Sequence, residues 1–585
     1  MAATDPGREP IQIVEIKQPL CENVFGVSPC TATGTGDTKC YNTRATCQDP
    51  ENYALGTPLS LYFGKGRPGE QGLASYIIPS LVNVSTSPTR VNLAGANPDA
   101  QGLGNRALCT ITFQDHAHTD RLVDPYLSGR SWNPLDADRG SFWTRWLVRN
   151  KYRQNIIIVV YEGYVGQTLA AMTSRQYFLS EVVGPDSSGR VTIRGKDILA
   201  RIEERKAQAP VASPGELYAD IGASVTSFEV AGVVEADYDA SGTLIIGDEI
   251  MTYTARATST NGIEFTGVTR GTDNTVAESH SAEDAVQQCL RYTNQTPDAV
   301  LVDLLQNFGG IDSSYLDSTN WTTEFLDFLP LHRLTALITE PTSVFKLVSD
   351  FQEQLLCYIW WDERDRLVKL KTIRGHDNPS IPTFTDAANV ISGSISFTEK
   401  PRERASQVWV YYSQRDFTVK PDDAEAFSSA YIVANLESET DELYGEPSIR
   451  KVYAQFLRSD VFAAYTGNRI SYRYVDVPTE IKFRADAKDR TYWIGDEFYL
   501  SHYLDVDQYG QRNVRLWTIV SAEEVVPGEM IEYICEETTM YGRIYYIMAS
   551  GSGDYPGAGS VTFKSCYIGD ADGLLSDGSG SGTIG

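Results

Sequence analysis

Apolar and polar residues alternate with a period of two along much of the chain, in runs of strand length bounded by glycine, proline, asparagine and aspartate. The pattern is clear in LASYIIPSLVNVSTSPTRVNL at 73–93, ALCTITFQ at 107–114 and SRQYFLSEVVG at 174–184. A period of two sends successive side chains to opposite faces of a sheet, one packed and one wet. Strands that follow one another without helices between them exclude a βαβ repeat. The expected fold class is therefore mainly β and multidomain, with some α+β.

A chain of 585 residues, 42% hydrophobic, buries several cores. Residues 1–60 hold one alternating run, IQIVEIK at 11–17, and then a segment with four cysteines. A strand-rich domain follows at 61–210; in it Trp143, Trp146 and Leu147 fall on one side of a short helix. The proline-bearing stretch AQAPVASPGELYAD at 207–220 reads as a linker to a small all-β domain at 222–292, whose strands are separated by turn signals. Helical periodicity at 298–310, 323–338 and 341–356, with Pro341 at a helix start, leads into the strand, charged turn and strand of CYIWWDERDRLVKLKTI; together they predict an α+β domain at 293–400. Strands return at 401–549, interrupted by a polar insertion with a weak helix, and a Gly/Ser-rich tail occupies 550–585.

The 77 acidic against 50 basic residues give a formal charge of -27. That balance disfavours a tightly held nucleic acid but suits a conduit through which DNA slides. No GxSxG, Walker or HExxH motif occurs, and no enzyme is expected. Asp115, His116, His118 and Asp120 in QDHAHTD are metal-ligand or acid/base types, but in a polar turn they read as hydrogen-bonded loop residues. Trp143, Trp146, Trp360 and Trp361 have apolar neighbours and read as core or interface packing rather than a sugar or base platform. MAATDPGREP lacks the basic-then-apolar order of a secretion signal, so synthesis and folding in the cytoplasm are expected.

Cys21, Cys30, Cys40 and Cys47 stand in CENVFGVSPCTATGTGDTKCYNTRATC, a segment with few aliphatic residues of its own. Their C-x8-C-x9-C-x6-C spacing is neither that of a zinc knuckle nor that of a bacterial ferredoxin. Four thiols in one glycine-bearing segment suit a shared metal or iron-sulfur centre that replaces the missing apolar core. Two disulfides, which a reducing compartment disfavours, and separate thiols remain as alternatives. The other five cysteines, Cys109, Cys289, Cys357, Cys535 and Cys566, are far apart and read as buried single thiols.

Three stretches carry a resemblance. TLIIGDEIMTYTARATSTNGIEFTGVTRGTDNTVAESHSAEDAVQQ at 243–288 resembles a small β-domain recurrent in hub or tip proteins of long-tailed bacteriophages, and RVTIRGKDILARIEERKAQAP at 190–210 resembles the stretch that precedes it there. KCYNTRATCQD at 39–49 resembles the cysteine segment of lambda-like tail-tip proteins, a family associated with an iron-sulfur cluster.

The resemblance implies a structural baseplate hub of the virion tail tip, assembled in the host cytoplasm, with tail-tube-like β-domains and a small inserted β-barrel-like domain. It implies a homotrimeric ring that closes the tail tube, binds the distal tail protein and the tape measure, carries a central fibre or receptor-binding proteins, and opens for DNA ejection toward the host envelope. For Cys21, Cys30, Cys40 and Cys47 it implies a [4Fe-4S] cluster, with zinc as the alternative. A hub that also degrades cell wall, or a receptor- or sugar-binding fibre, is the competing expectation.

Overall fold

In the computed structural model the described residues are 4–5, 7–97, 102–373 and 381–538, with the backbone of 547–549 and 566–568. They fall into two units, 1–539 and 540–585. Most of the predicted 550–585 tail, and the Cys566 side chain with it, lies outside the described residues.

The N-terminal alternation is realised in an eight-stranded sheet. Its members are β1 (Pro10–Gln18), β2 (Leu59–Phe63), β3 (Ile77–Ile78), β4 (Leu81–Ser87), β5 (Leu108–Gln114), β6 (Ile157–Tyr164), β7 (Thr173–Val183) and β8 (Arg190–Lys196), in the spatial order β3-β2-β1-β6-β7-β8-β5-β4. Only the β2–β3 pair is parallel. The short run IQIVEIK thus becomes an internal strand, joining residues 1–60 to those that follow. Its register sets Val14 opposite Val160 and Ile16 opposite Ile158, all inward.

Helix α1 (Phe142–Arg149) closes that core. Trp143 stacks on Phe63 at 5.3 Å and leans on Phe113 at 4.7 Å. The two indole N–H groups donate to Ser80 and Gln18, so neither tryptophan carries an unpaired donor into the core.

The next strands are β9 (Gln208–Ala209), β10 (Glu216–Leu217), β11 (Ser227–Ala231), β12 (Gly242–Ile246), β13 (Glu249–Tyr253), β14 (Ala255–Ser259), β15 (Gly262–Thr266) and β16 (Gln287–Gln295). Beyond them come α2 (Pro297–Asp303), a π-helical turn at Leu304–Phe308, α3 (Ser318–Phe328), β17 (Leu334–Ile338), β18 (Thr342–Ser343), α4 (Val344–Leu355), β19 (Cys357–Asp362) and β20 (Leu367–Thr372). The small all-β region is made of two four-stranded sheets, β10-β11-β15-β14 and β13-β12-β16-β17, the second completed by a strand from beyond residue 292.

Helical periodicity at 323–338 misleads in one half. Pro330 has no N–H and biases Leu329 away from helical angles, so α3 stops at Phe328, and LTALI pairs with β16 as β17. Pro341 lies ahead of α4 rather than at its first residue, because Thr342 and Ser343 first pair with β9.

The last third has β21 (Thr383–Thr385), β22 (Ser396–Glu399), β23 (Gln407–Gln414), β24 (Phe427–Ala434), β25 (Ile449–Ala454), α5 (Asp460–Tyr474), β26 (Thr479–Asp486), β27 (Glu497–Val506), β28 (Arg512–Val526) and β29 (Met530–Glu537). Six form the sheet β21-β27-β28-β29-β26-β22, and three form β24-β23-β25 with α5 packed on it. The weak helix expected in the polar insertion is the strand β24, and α5 occupies a stretch where strands were expected. The N-terminal sheet region meets the six-stranded sheet where Val91 N–H donates to the Val520 carbonyl at 2.9 Å and where the Tyr164 side-chain hydroxyl donates to the Gly528 carbonyl at 2.5 Å.

Beside that seam Gly104 has φ +85°, and a Cβ built there would lie 2.0 Å from the Arg90 carbonyl oxygen. Gly104→Ala is expected to destabilise the chain by about 1–3 kcal/mol, read as a lower urea midpoint with an unchanged slope.

Candidate four-cysteine site

Leaving β1, the chain runs through residues 19–58 with three short 3-10 turns, at Gly36–Thr38, Arg44–Thr46 and Pro50–Asn52, and little apolar burial. Polar contacts hold it instead. Asp49 accepts from Thr31 N–H at 2.6 Å and from the Thr31 hydroxyl at 2.9 Å. Gln48 donates to the Thr38 carbonyl at 2.5 Å, and Cys21 N–H donates to that of Asn42 at 2.6 Å.

These bonds fold the segment back on itself. Cys21, Cys30, Cys40 and Cys47 all line one small cavity, with Phe25 and Tyr53 among its other walls. All four are free thiols, Cys40 buried and the rest half-buried. The four predicted residues are therefore brought together.

Burial pushes the Cys40 thiol up from its ordinary value. The Asn42 N–H, 3.4 Å from Cys40 Sγ, works against this, while negative charge on Cys47, Cys30 or Cys21 adds to it. A cationic centre beside Cys40 would offset both causes and favour its thiolate. Four thiols and no histidine form a donor set that zinc and iron-sulfur clusters both accept. Among the described residues, no group of three or more His, Cys, Asp or Glu side chains is arranged to hold a metal ion.

A buried guanidinium ties this segment to the sheet domain. Arg130 Nη1 donates to the carbonyls of Gly36 (3.2 Å), Asp37 (2.9 Å) and Lys39 (2.8 Å), and Nη2 donates to that of Cys40 (3.0 Å). Nε and Nη2 also donate to Asp124 at 2.9 and 3.2 Å, and neither side chain of this pair is exposed. The Tyr41 ring lies 4.3 Å from the Arg130 guanidinium and 3.9 Å from that of Arg149. Sequence reasoning missed Arg130: it sits 90 residues from Cys40 and binds main-chain carbonyls, which leave no side-chain pattern to find.

No protein-family model and no curated protein matches the chain. Among solved structures it is similar to the 43 kDa tail protein of prophage MuSo2 from Shewanella oneidensis, at 10% identity over 78% of this chain and 97% of that one, with a TM-score of 0.35. A tail protein from Neisseria meningitidis MC58 gives 8% identity over 79% and 98%, TM-score 0.35. Prophage tail protein gp18 from Listeria monocytogenes EGD-e gives 9% over 78% and 88%, TM-score 0.31. The chain is distantly similar to prophage tail proteins.

The residues of QDHAHTD serve the fold. Asp115 accepts from the Trp143 N–H at 3.0 Å and from the Ser141 hydroxyl, capping α1. Asp120 receives Arg145 and Arg149 at 3.1 and 2.7 Å. Burial opposes its ionisation, but the hydrogen bond from Arg149 and the charges of Arg149 and Arg145 outweigh that and hold its carboxyl down at about 2. Trp143, Trp146, Trp360 and Trp361 are all buried.

Proposed function

We propose that this chain is a structural hub of a bacteriophage tail tip. The observation that carries the reading is the convergence of Cys21, Cys30, Cys40 and Cys47 on one cavity. The segment's resemblance to a tail-tip cysteine module calls for these four side chains to face one centre, and their lining of a single cavity supports that reading.

In this reading the four cysteines ligate a [4Fe-4S] cluster, with zinc as the alternative. When bound, the centre supplies metal–thiolate bonds that order loops with too little apolar area to order themselves. The role is structural, and no catalytic step is assigned to the chain. Three copies close into a ring at the distal end of the tail tube, where closed symmetry leaves no unpaired heterologous surface. The ring binds the distal tail protein and the tape measure, carries the central fibre or receptor-binding proteins, and opens for ejection at the host envelope. Much of the charge of -27 faces the channel, where like charge keeps passing DNA from sticking.

A cryo-electron map of the intact particle tests this. Three copies around an acidic channel at the tube end are expected; one or two copies, a neutral or basic channel wall, or a position away from the tube overturns it.

A further inference from the structure

We propose that Arg130 is the positioning residue of the four-cysteine centre, so that metal retention and the order of the 120–131 loop depend on each other. The proposal rests on the reading that Cys21, Cys30, Cys40 and Cys47 hold a metal centre. Residues on either side of the Cys40 peptide, Lys39 and Cys40 itself, hand their carbonyls to one guanidinium, which Asp124 orients from behind. Moving Arg130 therefore moves the main chain that aims Cys40 into the cavity.

Arginine suits this place for a chemical reason. It presents five N–H donors in one plane, stays charged at all working pH values, and here meets four carbonyl oxygens and a carboxylate while lying near the Tyr41 ring. A lysine ammonium is a point with three donors and cannot span Asp124 and the loop together. The guanidinium thus fills a cage of main-chain oxygens as a fixed cation would. The four carbonyls all come from the cysteine segment, and the 115–141 region supplies Arg130 itself and the Asp124 carboxylate. A second strand of the same coupling is Asp37, which accepts from Ser131 N–H at 2.6 Å.

The test uses the full chain, purified anaerobically, with iron, sulfide and zinc measured first. Arg130→Lys and Asp124→Asn are then compared with wild type for the rate of metal release to a chelator and for hydrogen exchange at 36–41 and at 120–131, the latter also with and without metal. Tryptophan fluorescence reports whether the Trp143 and Trp146 core is intact. Release about 10–100-fold faster in Arg130→Lys, with a smaller rise in Asp124→Asn and an unchanged core, is expected. If Arg130→Lys does not fold, Asp124→Asn carries the comparison. Metal bound and released at the wild-type rate from the folded variants, with exchange at 36–41 unaltered, overturns the proposal alone. Wild-type protein without iron or zinc overturns the metal reading on which it rests.

Discussion

On the proposed metal-centre and hub reading, Cys40→Ser is expected to lose the metal, release residues 30–50 and impair tip assembly while leaving the eight-stranded sheet folded. Cys40 is the buried member of the four, and its peptide carries one of the carbonyls held by Arg130. A serine hydroxyl there is nearly isosteric but is a poor ligand for a thiolate-type centre. The segment has few apolar side chains with which to make up the loss: Phe25 and Cys40 are its buried hydrophobic residues. Structural zinc in small peptides supplies about 10–16 kcal/mol of folding free energy at neutral pH, so on that reading removing one of the four proposed ligands withdraws more than this segment's hydrogen bonds can replace. Iron, sulfide and zinc analysis, with hydrogen exchange over 30–50 and over β1, measures both halves of the expectation. Metal content equal to wild type, or exchange that rises equally in β1, would show that Cys40 is not a ligand or that the segment is not a separate ordering unit.

Where the sequence was legible, a local rule and the tertiary structure agreed. The hairpin in CYIWWDERDRLVKLKTI is β19 and β20, with Asp362 opposite Leu367 across the charged turn, because apolar strands flank a polar loop of hairpin length. The grouping of the four cysteines was legible because four thiols stand close together in a segment with few aliphatic residues, and all four line one cavity. By contrast α5 was hidden: its buried face includes Thr466, Gly467, Ser471 and Arg473, so no apolar stripe at helical spacing announces it. Its one clear signal was Ser459, whose side chain accepts from the Val461 N–H as an N-cap. The strand β17 was masked by Leu and Ala, which suit a helix as well as a buried strand, and only Pro330 marked the break. Arg130 and Asp124 fell in a polar loop that reads as solvated until the fold brings the cysteine segment over it.

Glu249→Ala is expected to destabilise the small β region by about 3–5 kcal/mol, the cost of removing one partner from a buried ionic network. Glu249 opens β13 in the IGDEIMTYT stretch and has no exposed surface. Its carboxylate accepts from Arg270 Nε and Nη2 at 2.7 and 2.6 Å, from Gly271 N–H at 2.9 Å and Glu278 N–H at 3.1 Å, and contacts His280 Nε2 at 2.8 Å. These residues belong to TRGTDNTVAESH, so the two quoted stretches meet at one carboxylate and the string acquires a physical reason. Burial opposes ionisation, but the hydrogen bonds from Arg270, Glu278, His280 and Gly271 outweigh it and hold the Glu249 carboxyl at about 2, below its ordinary 4.5. Because the folded value is the lower one, this stabilisation is complete above 4.5 and is lost as pH falls from there toward 2. Alanine leaves Arg270 buried without its carboxylate, and the penalty should therefore be largest at neutral pH and shrink in acid. Urea unfolding of the full chain at about pH 6 and about pH 3, read by hydrogen exchange in β13 and β15, is the measurement. A loss of stability as large at the acidic pH as at the neutral one would mean that lost packing, rather than the charged network, accounts for the effect.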